Sequence, residues 1–277
     1  MNYYGLNRDP SLVFYAPLQG DMYDYATGYA AAAGYRLGVP NTTFLPQKNG
    51  NINGYKFDNT NYIDYGNKPG ATFTALPTLL WSITAWCYTT GSGGYQFLLS
   101  KATSGSIGYA LGIDSSGNWF VQVAAKYQNF SVCNYAQIQH VALTMPFLSG
   151  QYRPNFYING IMQPYGTGST PMNSMSSSYN LRIGGNQWTT AAYWLGGIWD
   201  VRIYRRALTS DEITKIYKAT IPTFPTKRIY FSGGSIKYLN LSDTITTSDN
   251  LTNTLRVKLL RTAFSLSNFC EDRKSVV

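Results

Sequence analysis

Residues 197–213 read Gly197-Ile198-Trp199-Asp200-Val201-Arg202-Ile203-Tyr204-Arg205-Arg206-Ala207-Leu208-Thr209-Ser210-Asp211-Glu212-Ile213. From Ile198 to Tyr204 apolar and polar residues alternate, the period of a β-strand with one face in a core. No proline interrupts the alternation, so the strand is expected to pair on both sides, inside a sheet. A helix start follows. The hydroxyl of Thr209 is answered three residues later by Glu212, and Ile213, Ile216 and Tyr217 supply a short apolar stripe. Ile221-Pro222-Thr223-Phe224-Pro225 then reads as a linker.

Upstream, the same two-residue period recurs at short intervals. Leu12 to Leu18 reads as a first strand. Tyr23 to Asn53 is rich in Tyr, Ala and Gly with little periodicity, which predicts long loops or edge segments. From Gly54 onward short strands are expected around Tyr55–Asp58, Tyr62–Tyr65, Trp81–Tyr88, Tyr95–Ser100, Tyr109–Ile113, Trp119–Ala124, His140–Thr144, Asn155–Ile158 and Leu181–Ile183. The alternation of Trp81, Ile83, Ala85 and Cys87 against Ser82, Thr84, Trp86 and Tyr88 is the clearest of these. Asp114-Ser115-Ser116-Gly117-Asn118 and Asn159-Gly160 carry the residues that hairpin turns require.

Composition points the same way. Of 277 residues, 24 are Tyr and 26 Gly, only two are Glu, and charged residues make up 13%, about half the usual share. Such a chain makes strands and turns rather than long helices. The net charge is +9, yet no run of five or six basic residues occurs and no nucleic-acid module signature is present, so nucleic acid is not an expected partner. No stretch of about 18 apolar residues occurs, so no membrane insertion is expected. Met1-Asn2-Tyr3-Tyr4-Gly5 lacks the pattern of an export signal. Cys87, Cys133 and Cys270 fit no zinc pattern; buried thiols are the expectation for Cys87 and Cys133, with a bridge between them as the alternative.

The order of these motifs resembles the laminin-G-like family of the concanavalin-A-like lectin/glucanase superfold. Leu12–Leu18 is similar to its first strand, and Phe57-Asp58-Asn59-Thr60-Asn61-Tyr62-Ile63 to its Phe-Asp-Gly…Tyr-Val segment. Trp81–Trp86 is similar to its Phe-Thr-Ile-Ser-Ala-Trp strand, His140-Val141-Ala142 to its His-Val-Ala segment, and Phe156–Gly160 to its Tyr-Val-Asn-Gly hairpin. Residues 197–213, continued by Tyr217, give the fullest match. The resemblance runs from about Leu12 to Ala219. It implies an all-β fold, a two-sheet antiparallel sandwich of jelly-roll type with one short C-terminal helix, capping an edge or end. Two positions depart from the pattern. Ile138 stands where the family usually has Trp, and Trp199 stands where an acidic residue often precedes Asp200, which removes a carboxylate where some relatives coordinate calcium.

The sequence bears on four kinds of site. Glycan hydrolysis on this fold needs two carboxylates a few ångströms apart, yet no strand carries an acid-x-acid pair and both Glu, Glu212 and Glu271, lie off the strands. No catalytic residues are assigned, and the chain is read as non-enzymatic. His140 belongs to its strand motif and is expected as a structural, hydrogen-bonded histidine. Calcium is a candidate cofactor only if Asp58 and Asp200 meet on neighbouring strands. Sugar recognition needs an aromatic platform with polar partners; Trp119, Asn186, Gln187, Trp188, Tyr193 and Trp194 are the candidates, densest between Gly184 and Trp194.

The expected organisation is a sandwich over residues 1–220, a linker over 221–225 and a tail over 226–277. The tail carries eight basic against four acidic residues and a Ser-Asp step at Ser242-Asp243 and Ser248-Asp249. The functional expectation is a lectin-like module for a glycan or glycoprotein partner. The alternative is a structural or adhesive surface protein, such as a virion decoration or fibre component, that self-associates or joins a larger assembly through the tail. Either reading places the protein outside the cell or on a virion surface.

Overall fold

The structure is a computed structural model. It describes residues 9–18, 22–26, 29–30, 36–37, 54–68, 71, 80–91, 94–103, 107–124, 126–148, 151–168, 178–187 and 192–221. The chain divides into two units, Met1–Pro225 and Thr226–Val277. All described residues belong to the first, so the linker from Pro222 and the tail lie outside them.

Two seven-stranded sheets make the sandwich. The first holds β1 (Leu12–Ala16), β5 (Tyr55–Asp58), β7 (Trp81–Thr89), β12 (Gln139–Met145), β15 (Asn155–Ile158), β16 (Ile161–Met162) and β18 (Leu195–Tyr204). The second holds β4 (Arg36–Leu37), β6 (Tyr62–Asp64), β8 (Gln96–Thr103), β9 (Ile107–Ile113), β10 (Asn118–Val123), β11 (Lys126–Val132) and β17 (Arg182–Ile183). Two hairpins stand apart, β2 (Tyr23–Asp24) with β3 (Tyr29–Ala30) and β13 (Phe147–Leu148) with β14 (Gln151–Tyr152). All named pairings are antiparallel, as the sandwich reading predicts.

The strand read first is central, and it changes partner along its length. Its Leu195–Ile198 half pairs with β5, its Val201–Tyr204 half pairs with β1, and β7 lies on its other side throughout. A bulge between Trp199 and Arg202 marks the change. There Asp200 adopts φ of 52°, and its N–H donates to the Pro17 carbonyl at 2.9 Å. Bulges increase local twist and re-aim a side chain.

Between the sheets, Phe14, Ile83, Ala85, Leu99, Leu111, Val121, Val141 and Ile203 meet in one core. The period-2 reading of β7 is therefore right about its inward face. Its outward residues Ser82, Thr84 and Trp86 are buried too, because helix α1 (Ser210–Thr220) lies on that face rather than capping an edge or end. Ile213 and Ile216 pack with Ala142, Tyr157, Tyr204 and Leu208, and Trp86 Nε1 donates to Thr220 Oγ1 at 2.8 Å. Each buried isoleucine contributes about 1.5–3 kcal/mol. The helix starts where its cap predicts: Glu212 N donates to Thr209 Oγ1 (3.3 Å), and Thr209 N to Glu212 Oε2 (2.9 Å).

Candidate functional site

Helix α1 covers the outer face of the first sheet, and on the outer face of the second Gly185 and Ala192, from the segment after β17, meet the strands. Along β8, β9 and β10 the residues Leu99, Leu111 and Val121 point into the core, while Phe97, Ala110 and Phe120 form a separate cluster on the far side. Gly112 sits between Phe97 and Phe120 in register. A Cβ there would stand 2.2 Å from the Gln96 carbonyl oxygen and 3.0 Å from Phe120 Cε1. The missing side chain lets the two phenyl rings meet edge to face above it, 5.5 Å apart at 89°. Tyr127 stacks on Phe120 (5.1 Å, 21°), Tyr95 meets Phe120 edge-on (5.7 Å, 83°), and Ala192 of the loop packs among them.

At one end of this face Asp114 organises the polar groups. Its Oδ1 accepts from the Ser116 and Asn118 amides (2.9 and 2.8 Å), and its Oδ2 from Tyr127 OH (3.2 Å) and Asn129 Nδ2 (2.9 Å). Burial, together with the adjacent Asp114 carboxylate, pushes the Tyr127 phenol upward.

At the other end the loop after β17 is fastened to the sheet. Ser100 Oγ donates to the Gly185 carbonyl at 2.8 Å. Arg182 donates through Nε to Asp64 (2.9 Å) and through Nη1 to the Asn186 carbonyl (2.6 Å), with its guanidinium 4.2 Å above the Tyr62 ring. Tyr193 stacks on Tyr62 at 5.7 Å. Gln187 Nε2 donates to the Asn180 carbonyl at 2.6 Å and stays half-buried.

The sequence candidates separate into three groups. Asn186, Gln187 and Tyr193 do converge on this face, although Asn186 and Tyr193 are buried. Trp188 lies outside the described residues. Trp119 and Trp194 are not on the surface: their rings meet 6.1 Å apart inside the sandwich, and Trp194 Nε1 donates to the Tyr88 carbonyl at 3.0 Å. Fully buried indoles offer no face for stacking. Sequence reading missed Tyr95, Tyr127, Asn129 and Arg182, and took Asp114 only as a turn residue.

The calcium pair does not assemble. Asp58 opposes Leu195, five positions from Asp200 on β18, which is roughly 16 Å along the strand. Asp58 is exposed and accepts from Thr60 N (3.0 Å) and Thr60 Oγ1 (2.6 Å); the hydroxyl bond leads in holding its carboxyl low. Asp200 is buried and accepts from Arg202 Nε (3.0 Å) and Nη2 (2.8 Å) through Oδ1. Among the described residues no group of three or more His, Cys, Asp or Glu converges as a metal site. His140 differs from expectation as well. It is fully buried with no hydrogen-bond partner on either ring nitrogen, and burial pushes its pKa down to about 3. Cys87 and Cys133 are buried free thiols, and burial pushes Cys133 up to about 12.

No curated protein sequence matches the chain. Among solved structures it resembles Trypanosoma rangeli sialidase in complex with sialic acid, at 18% identity and a TM-score of 0.54 over 77% of this chain. The chain spans about a third of that sialidase, 34% of its length. Domain 4 of AbnA, a GH43 extracellular arabinanase from Geobacillus stearothermophilus solved with arabinotriose, is 15% identical with a TM-score of 0.55, covering 75% of this chain and 98% of the domain. The binding domain of Paraclostridial Mosquitocidal Protein 1 is 13% identical with a TM-score of 0.55, covering 75% and 52%. At these identities the likeness is one of fold. The model of the family Laminin_G_3, concanavalin A-like lectin/glucanases superfamily, matches residues 57–214, more than half of the chain, and the chain belongs to that family.

Proposed function

We propose that the protein is a non-enzymatic carbohydrate-binding module whose site is the outer face of the second sheet. The observation that carries this reading is the prebuilt shelf at Gly184–Gln187. Ser100 and Arg182 fasten it to the strands before any ligand arrives, so little ordering entropy remains to be lost on binding. Trp188 follows Gln187 directly in sequence, as the aromatic partner that a sugar ring requires. Binding rather than hydrolysis is favoured because the carboxylates on this face already serve the fold. Asp64 holds Arg182, and Asp114 is occupied by five donors, the Ser116 and Asn118 amides, Asn118 Nδ2, Tyr127 OH and Asn129 Nδ2. Retaining hydrolysis needs two carboxyl groups about 5–5.5 Å apart and open to substrate.

The test is a glycan array read with the whole protein and with Gln187→Ala and Trp188→Ala variants, beside an assay for released reducing sugar. Specific signal that Trp188→Ala reduces about tenfold, without sugar release, is the expected result. Turnover abolished by replacing Asp64 or Asp114 would sink the non-enzymatic reading.

A further inference from the structure

We propose that Tyr95, with Tyr127, Asp114 and Asn129 beside it, forms a second sugar platform on this face, suited to an uncharged pyranose. The inference rests on the carbohydrate reading above and adds a site on the far side of the loop. Ala192 packs on Phe97 and Phe120 between the two places.

Tyr95 is the one exposed ring of its cluster, 44% accessible, while Phe97 and Phe120 beneath it are buried. Its ring lies nearly parallel to Phe97 (6.4 Å, 20°) and edge-on to Phe120. Buried neighbours on two sides hold a tyrosine ring still while part of it meets solvent. The C–H face of a pyranose packs on such a ring, and its hydroxyls need fixed polar groups at the rim.

Those groups are in place. Asp114 holds the Tyr127 hydroxyl and the Asn129 amide in fixed positions, and Asn129 Oδ1 lies buried beside them with no hydrogen-bond partner. Asp114 is the charged member of this network. Lys126 precedes Tyr127 on β11 and so points to the opposite side. Among the described residues Asp114 has no ion-pair partner, so a carboxylate-bearing sugar would meet its charge unbalanced, whereas a neutral ring pays no such penalty.

The experiment uses the intact protein and its Tyr95→Ala and Tyr95→Trp variants. The probe is a printed array carrying neutral oligosaccharides beside sialylated and uronic-acid counterparts, with melting temperature measured in parallel. Neutral-glycan signal should fall about tenfold in Tyr95→Ala and persist in Tyr95→Trp, with melting little changed. Wild-type signal in Tyr95→Ala, alongside loss in Trp188→Ala, overturns the second platform and leaves the carbohydrate reading standing. Loss in both Tyr95 variants with early melting assigns Tyr95 to packing and also overturns it. Preference for the acidic glycans overturns the uncharged ligand class. A wild-type protein that binds nothing on the array removes both readings together.

Discussion

The His140 ring meets Trp86 edge to face, 5.2 Å between centroids, and Tyr217 of helix α1 lies 5.9 Å from it on the helix side. The imidazole is sealed between a sheet and the helix laid over it, without a hydrogen bond.

That burial makes stability depend on acid. The folded pKa is depressed to about 3 from the ordinary 6.5. The sealed, neutral ring therefore contributes stability that is fully present above pH 6.5. It is lost progressively as pH falls toward 3. At pH 5 the loss is about 2 kcal/mol, taking 1.36 kcal/mol per unit. His140 is the sole histidine of the chain, so imidazole titration in this window is its own, and the His140→Phe variant separates it from any carboxylate. Urea unfolding at pH 7 and pH 5 should show this difference in the native protein. A His140→Phe variant should not; an equal loss in both would assign the effect elsewhere.

Asp200 and Arg202 are a buried pair on one strand, with the guanidinium 4.8 Å above the Tyr15 ring. Asp200→Ala leaves that cation unpaired in a dry site and should cost roughly 3–5 kcal/mol. Asp200→Ala combined with Arg202→Met should regain much of the loss, since neither charge then needs a partner. A double-mutant cycle by chemical denaturation measures the coupling, and additive single effects would refute it.

Gly112→Ala tests the aromatic cluster independently of any ligand. The added methyl has nowhere to go between the Gln96 carbonyl and the Phe120 ring. The expected cost is about 1–3 kcal/mol, accompanied by weaker near-ultraviolet circular dichroism as Phe97, Phe120 and Tyr95 lose their fixed geometry. Native-like stability in this variant would show that strands β8 and β9 shift to make room.

The strands were legible because their period reports which face is dry. Ile83 and Ala85 fall inward as the alternation of β7 requires, and Val201 and Ile203 do so on β18. The same rule already held the answer for Trp119: it alternates with Phe120 and therefore shares the inward face of Val121 and Val123. Its candidacy as a sugar platform set that period aside. Trp194 was less accessible to reasoning, because the strand begins one residue after it and nothing local reveals that its ring turns into the sandwich. The helix cap was explicit in Thr209 and Glu212, but the surface receiving Ile213 and Ile216 is built from four separate segments. The set of Tyr95, Asp114, Tyr127 and Asn129 was out of reach for a related reason. Those residues are brought together by the register of three successive hairpins, which pairwise spacing does not encode.

The strand β18 also sets a timetable. Its pairing of Tyr204 with Leu12 joins residues 192 apart (204 minus 12). During synthesis at about 5–20 residues per second, β1 leaves the ribosome roughly 10–40 s before its partner exists. Until then β1 and β5 have no shared neighbour, and the apolar face of the first sheet stands open. The first sheet is therefore completed late, when one strand docks two waiting segments at once.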